Sequence, residues 1–318
     1  MQVSSFLSRA LPALMLCGAI ASADTKSASL KDAMVSSMNA VISVFSPESD
    51  MADPVCSGDD DDFTCKIEQI NIDRGLDIKD VEYKVKASSR AVKTKFEGGV
   101  QIDCKNIELD EQTCRALPKK IEGEEVDEKQ KDKDMAESKG EFNAKAPDGT
   151  EISIKYDIAY AHNSLKGKDI KQVVIDMMAF NQDMSEEELM QILQETRLHI
   201  KKLEIVLESK TLSDVFYKNA SKYQPMSKKE YDAQTRRAAQ DAKDNLAQMN
   251  GMLPSEMIET LTRFVNSAQN FAIDSKKHKR IGLEFQGNNE QGIQPALIMS
   301  NPLLLLAIIS NGKLKVID

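Results

Sequence analysis

The chain has 318 residues, with 42 Lys+Arg against 51 Asp+Glu, 41% hydrophobic residues and no tryptophan. That length suffices for one elongated domain or two compact ones. A net charge of −9 ill suits nucleic acid, whose binding depends on Lys and Arg neutralising phosphate, and no basic patch is present for anionic lipid headgroups.

At the N-terminus Arg9 precedes an apolar run, Ala10 to Ile20, and then Ala21-Ser22-Ala23. This pattern predicts a secretory signal peptide over residues 1–23, cleaved after Ala23. The run is shorter than the roughly 20 residues of a membrane-spanning helix. Cys17 follows Leu16, where a lipoprotein site requires a small residue, so it reads as part of the discarded peptide. Loss of Arg9 leaves 41 cations against 51 acids. No transmembrane segment is expected in the mature chain.

Four cysteines then remain, Cys56, Cys65, Cys104 and Cys114. An even number in an exported chain predicts disulfides, and the close spacing favours Cys56–Cys65 and Cys104–Cys114 among the three connectivities. Each bridge should contribute about 2–3 kcal/mol. A metal site would need two-residue spacings or nearby histidines, so no metal and no cofactor are expected. The expected location is periplasmic, or secreted to the cell surface.

Residues 24–118 open with a helical stripe from Ser29 to Phe45, which Ser46-Pro47 ends. Gly58 to Asp62 is an acidic run that reads as a solvated loop. Calcium is the alternative, but the alternating ligands and distal Glu of an EF-hand are missing. A ladder of alternating residues follows: Ile70 and Ile72, Leu76 and Ile78, Val81 to Val85, Val92 to Phe96, Val100 and Ile102, Ile107 and Leu109. Such alternation predicts antiparallel strands with one buried and one wet face. Parity shifts between Ile67 and Ile70, which predicts a bulge, and Gly98-Gly99 predicts a kink or a further bulge.

Residues 119–139 are rich in Glu, Lys and Asp and poor in apolar residues, which predicts an exposed loop or linker. In the remainder, 140–318, Pro147-Asp148-Gly149 predicts the turn of a hairpin. Lys171 to Phe180 reads as a strand, apolar on both sides. Helices are expected over 185–197, 211–223, 227–250 and 254–269, the second and last bounded by Pro225 and Pro254. Capping boxes stand at Ser185/Glu188 and Ser227/Glu230. The stripe Met257, Ile258, Leu261, Phe264, Val265 and Ala268 marks 254–269 as the helix most deeply buried against the sheet. Strands are expected at 198–207, 271–274, 281–286 and 314–317. Leu303 to Ile309 is an apolar run, either core or the lip of a cavity.

Histidines occur only at 162, 199 and 278, and no nucleophile elbow, HExxH, P-loop or dinucleotide fingerprint is present. The absence of tryptophan and the 5% aromatic content weigh against a carbohydrate-stacking cleft. An enzyme is not expected.

Cys56 to Asp73, two cysteines around an acidic loop and then Cys65-Lys-Ile-Glu-Gln-Ile-Asn-Ile-Asp, leads into the ladder, and 254–286 forms a terminal helix–strand–strand unit. This layout resembles certain Gram-negative envelope proteins, namely the campylobacter-type surface adhesin lipoprotein and the DUF945-like exported proteins. The resemblance implies a long curved antiparallel sheet, an unclosed half-barrel with helices on its concave side and an apolar basin. The chain departs from it in lacking a lipoprotein cysteine site, and no functional residues carry over.

The fold expected is therefore α+β, a long, curved, mostly antiparallel sheet wrapped around one or two helices. The function expected is non-enzymatic binding of an apolar ligand such as lipid in the sheet concavity. Met257, Leu261, Phe264, Leu303, Leu305 and Ile308 are its expected lining. The alternative is a protein-interaction or adhesion module with an envelope protein as partner, motivated by the acidic surface and the loop 119–139. A hydrolase using His162, His199 or His278 is the third.

Overall fold

The computed structural model describes residues 29–35, 50–73, 75–106, 109–129, 133–179, 186–251, 253–288, 292–300 and 312–318. The predicted signal peptide, the apolar run 303–309 and Ser185 lie outside the described residues. Eleven strands form one sheet: β1 (Asp50–Met51), β2 (Val55–Gly58), β3 (Asp62–Asp73), β4 (Leu76–Ala87), β5 (Ala91–Ile102), β6 (Lys120–Lys129), β7 (Met135–Lys145), β8 (Glu151–Ala161), β9 (Arg197–Glu208), β10 (Arg280–Gln286) and β11 (Lys313–Ile317). The path runs from β1 to β3 and then through β11 in chain order, with β2 also paired to β3. Every pairing is antiparallel. The sheet is open and curved, as expected.

The helices are α1 (residues 30–35), α2 (Glu111–Arg115), α3 (Ile170–Ala179), α4 (Glu186–Glu195), α5 (Leu212–Tyr223), α6 (Lys228–Gln248), α7 (Ser255–Ile273) and α8 (Pro295–Ser300). The capping box of α6 forms as its sequence predicts: Glu230 N donates to Ser227 Oγ at 3.3 Å, and Ser227 N to Glu230 Oε2 at 2.7 Å. The turn at Pro147-Asp148-Gly149 joins β7 to β8, with Gly149 at φ +85°.

Both disulfides form as the spacing indicated. Cys56–Cys65 links directly opposed residues of β2 and β3, and Cys104–Cys114 ties the end of β5 to α2. The ladder ends at Ile102, so Leu109 belongs to the loop before α2. The irregularity expected at Gly98-Gly99 lies opposite that pair, whereas β3 and β4 keep one register from Ile67 through Ile70 and shift only between Asn71 and Asp73. Register shifts between Lys79 and Glu82 where β4 faces β5, and Asp80 between them adopts φ 51°. A Cβ on Gly98 would stand 3.2 Å from Val81 Cγ2 and 3.4 Å from Ile78 Cγ2. Ile67, Ile70 and Val81 pack as a small cluster beside this bulge.

The described residues of 119–139 are mostly strand, not loop: β6 and β7 pair across ten residues each, from Lys120↔Lys145 to Lys129↔Ala136. Their charges form the wet face of a sheet. Lys145 meets Glu122 at 2.5 Å, Lys95 meets Glu124 at 2.8 Å, and Lys120 meets Glu97 at 3.5 Å. Composition alone does not separate a charged strand face from a solvated loop.

Lys171–Phe180 is not a strand either. Its described part belongs to α3, where Val173 and Val174 lie on the buried side together with Ile170. β-branched residues tolerate a helix when tertiary packing covers them. Likewise 271–274 continues α7 to Ile273 rather than starting a strand. Nor is 254–269 the most deeply buried helix. The stripe of α7 is half-buried at Leu261, Phe264 and Val265, whereas Ile170 and Val173 of α3 are 0% exposed. α3 and α1 form the main core with Phe63, Val85, Val92 and Tyr160 of the sheet. α7 packs instead on α6, β10 and β11.

The acidic run between the first two cysteines turns β2 into β3. Asp59 accepts from the backbone N–H groups of Asp61 and Asp62, and Lys171 of α3 reaches Asp60 at 2.6 Å and Asp61 at 2.7 Å. These carboxylates dock α3 onto the hairpin. Among the described residues no group of three potential metal ligands is assembled.

Candidate ligand-binding face

In an antiparallel sheet, directly paired residues point to the same side, so register converts strand sequence into rows. One row reads Tyr83, Phe96, Gly123, Phe142, Ile154, Ile205, Leu283 and Val316 from β4 to β11. The next reads Thr94, Glu125, Gly140, Tyr156, Leu203, Phe285 and Leu314. A third reads Val92, Asp127, Ser138, Ile158 and Ile200. All lie on the face that α1 and α3 cover at one end, through Val92 and Tyr160.

Away from that end the rows are half-buried. Phe142, Ile154, Tyr156, Leu203 and Ile205 are neither core nor fully exposed. Aromatic rings line the first row: Tyr83 and Phe96 stack with centroids 5.6 Å apart, and Phe96 and Phe142 at 6.0 Å. Gly123 lies between the two phenylalanines, and a Cβ there would stand 2.5 Å from Phe96 Cε1. Gly140 serves the same purpose in the next row, where the Tyr156 ring occupies the space of its missing side chain. Lying flat across β7, Tyr156 reaches β6 and donates to Glu125 Oε1 at 2.7 Å.

This contact opens a polar patch at the β6 end of an otherwise apolar surface. Ser138 Oγ also donates to Glu125 Oε1, at 2.6 Å. Asp127, one row further in, is 6% exposed. Burial pushes its pKa well up, the charge of Glu125 adds to this, and its contact with the Ser138 hydroxyl only partly opposes it. Tyr160 is 1% exposed, and its hydroxyl has no hydrogen-bond partner among the described residues. Burial raises its pKa, and the nearby charge of Glu125 adds to this. The following inward residue, Lys129, donates to the carbonyl of Lys168 at 2.8 Å.

No protein-family model matches the chain, and no curated protein sequence does. The reading of the site therefore rests on its geometry.

Of the residues expected to line a cavity, Met257, Leu261 and Phe264 share α7, where Met257 is buried and the other two half-buried. Leu303, Leu305 and Ile308 lie outside the described residues. The three histidines occupy separate places. His162 at the end of β8 caps the turn 163–165 through Nδ1 and stands 3.3 Å from Glu195 Oε2. His199 lies on β9 opposite Ala159, and His278 follows α7. Clefts of about 430 and 400 Å³ on the outer face of β3–β7 are walled by residues such as Glu82, Lys84, Lys95 and Lys120. Those groups pair with one another, as Lys84 does with Glu82 at 2.5 Å, which makes the clefts a less favourable place for a ligand.

Sequence reasoning missed Glu125, Asp127, Ser138 and Tyr160, because the first three fell in the supposed loop. The available cue was parity: Ile121, Gly123, Glu125 and Asp127 all point one way on a single strand.

Proposed function

We propose that this protein is an exported, non-catalytic binding protein of the cell envelope that holds an apolar chain, such as a lipid acyl chain, on the inward face of β7–β9. The observation carrying this reading is the unbroken half-buried apolar surface, Phe142, Ile154, Tyr156, Leu203 and Ile205, spanning three strands between the α1–α3 core and the strands next to α7. Apolar surface of this kind is where soluble ligands with alkyl chains gain most from leaving water. The two disulfides support an oxidising compartment, and among the described residues no helix is long and apolar enough to cross a membrane.

The reading as an adhesion module loses the exposed loop that motivated it, since the described residues of 119–139 belong mainly to β6 and the first half of β7. The test is binding of a polarity-sensitive apolar dye to the oxidised protein and to Ile154→Lys. Saturable binding that the substitution abolishes, in a chain that still unfolds cooperatively, is the expected result. Binding that ignores the substitution, or no binding at all, would sink the reading.

A further inference from the structure

We propose that the ligand is a cationic amphiphile, an alkyl chain ending in a primary amine or similar cation, with its head at Glu125 and its chain along the rows of β7–β9. This rests on the reading above and deepens it. Three features carry it.

First, the polar patch is acidic and borders the apolar rows of β7–β9. Glu125 and Asp127 occupy consecutive inward positions of β6. Second, Glu125 has acceptor capacity to spare. Both hydrogen bonds it receives, from Ser138 and Tyr156, end on Oε1, and Oε2 accepts none among the described residues. An ammonium carries three donors and no acceptor, so it matches a carboxylate oxygen that seeks donors. Third, the hydroxyl of Tyr160, in a residue 1% exposed, has no partner among the described residues. A buried hydroxyl without a partner costs stability unless a ligand or water completes it. An amine held between Glu125 and Tyr160 would supply that partner, whereas a purely structural role for the cluster would leave the hydroxyl unpaired. A carboxylate head would instead face Glu125 as a like charge.

The experiment is competition against a bound apolar dye by dodecylamine, dodecanol and dodecanoate, on the full chain with both disulfides, below micelle-forming concentrations and at physiological ionic strength. The amine should displace the dye at a concentration about tenfold lower than the alcohol, as one charge-assisted hydrogen bond implies, with the acid weakest. Glu125→Gln should erase the difference between amine and alcohol. The chain's charge of −9 attracts any cation, but neutralising one inward carboxylate leaves that general attraction almost unchanged. Loss of the preference therefore locates the head. Tyr160→Phe, which removes only the unpartnered hydroxyl and should fold normally, should reduce the amine's advantage severalfold. Equal displacement by all three compounds, or an amine preference untouched in both variants, overturns the head assignment and leaves the apolar reading standing. Failure of all three to displace the dye overturns both.

Discussion

Replacing Asp127 by Asn changes one oxygen to an NH₂ group in a residue 6% exposed, so shape is kept while the titrating proton is removed. In the fold the carboxyl's pKa is raised well above its ordinary value, chiefly by burial and further by the charge of Glu125. In the unfolded chain it ionises near the ordinary value of about 3.9. From about pH 4 upward the native chain therefore keeps a proton that the unfolded chain has released. The stability this group contributes is complete below its unfolded pKa and is lost as pH rises toward its folded one, with a limiting slope of about 1.4 kcal/mol per pH unit. Asn escapes that loss.

The two proteins should thus be similar near pH 4, and the difference should grow in favour of Asp127→Asn by up to about 1.4 kcal/mol per unit above it. Other groups act in the opposite sense. Glu122 is lowered to about 2 by Lys120 and Lys145, and burial lowers His162. Both contribute stability that is lost as pH falls, but they are common to the two proteins and cancel in the difference. Urea unfolding followed by circular dichroism across this pH range measures it. A difference that is flat with pH, or a wild type more stable at neutral pH, refutes the placement of Asp127 as a buried neutral acid.

Further substitutions probe the packing. Ile170→Ala should cost about 2–5 kcal/mol, and half-buried Leu261→Ala on α7 no more than about 2 kcal/mol. The reverse order in thermal unfolding would restore α7 as the deepest helix. Gly123→Ala should cost about 1–3 kcal/mol by overpacking, because its Cβ would meet Phe96 Cε1 at 2.5 Å and the Glu141 carbonyl oxygen at 2.8 Å. An unchanged melting temperature contradicts the aromatic row. Removing the Cys56–Cys65 bridge as a double alanine substitution should cost about 2–3 kcal/mol, visible as a lower denaturant midpoint in oxidised protein and no difference in reduced protein.

What could be read from the sequence follows from what kind of information each element carries. The alternation of Val81, Tyr83 and Val85 is local and strong, and it predicted β4 and its wet face. The bulge opposite Gly98 was visible in the Gly98-Gly99 pair, and α6 announced itself by the Ser227/Glu230 box. α3 was misread because Val173-Val174-Ile175 carries strand propensity, and what makes it helical is packing against Val85 and Val92, distant in sequence. β6 and the first half of β7 were misread because their outward residues are mostly charged and their inward ones are mainly glycine, serine and acid rather than aliphatic. The polar patch was invisible for a deeper reason. Glu125 meets Tyr156 only because Gly140 separates them in a row, and rows exist only once register is known.

If the inward face of β7–β9 holds an apolar chain, that chain should survive gentle purification. Native mass spectrometry of the disulfide-bonded protein, purified gently from the cells that make it, is the decisive experiment. The account predicts a stoichiometric adduct with the mass of an alkyl-chain amphiphile, absent from Ile154→Lys. A clean mass for the bare chain, unchanged after incubation with alkylamines, would contradict it and return Phe142, Ile154 and Leu203 to the role of ordinary sheet packing.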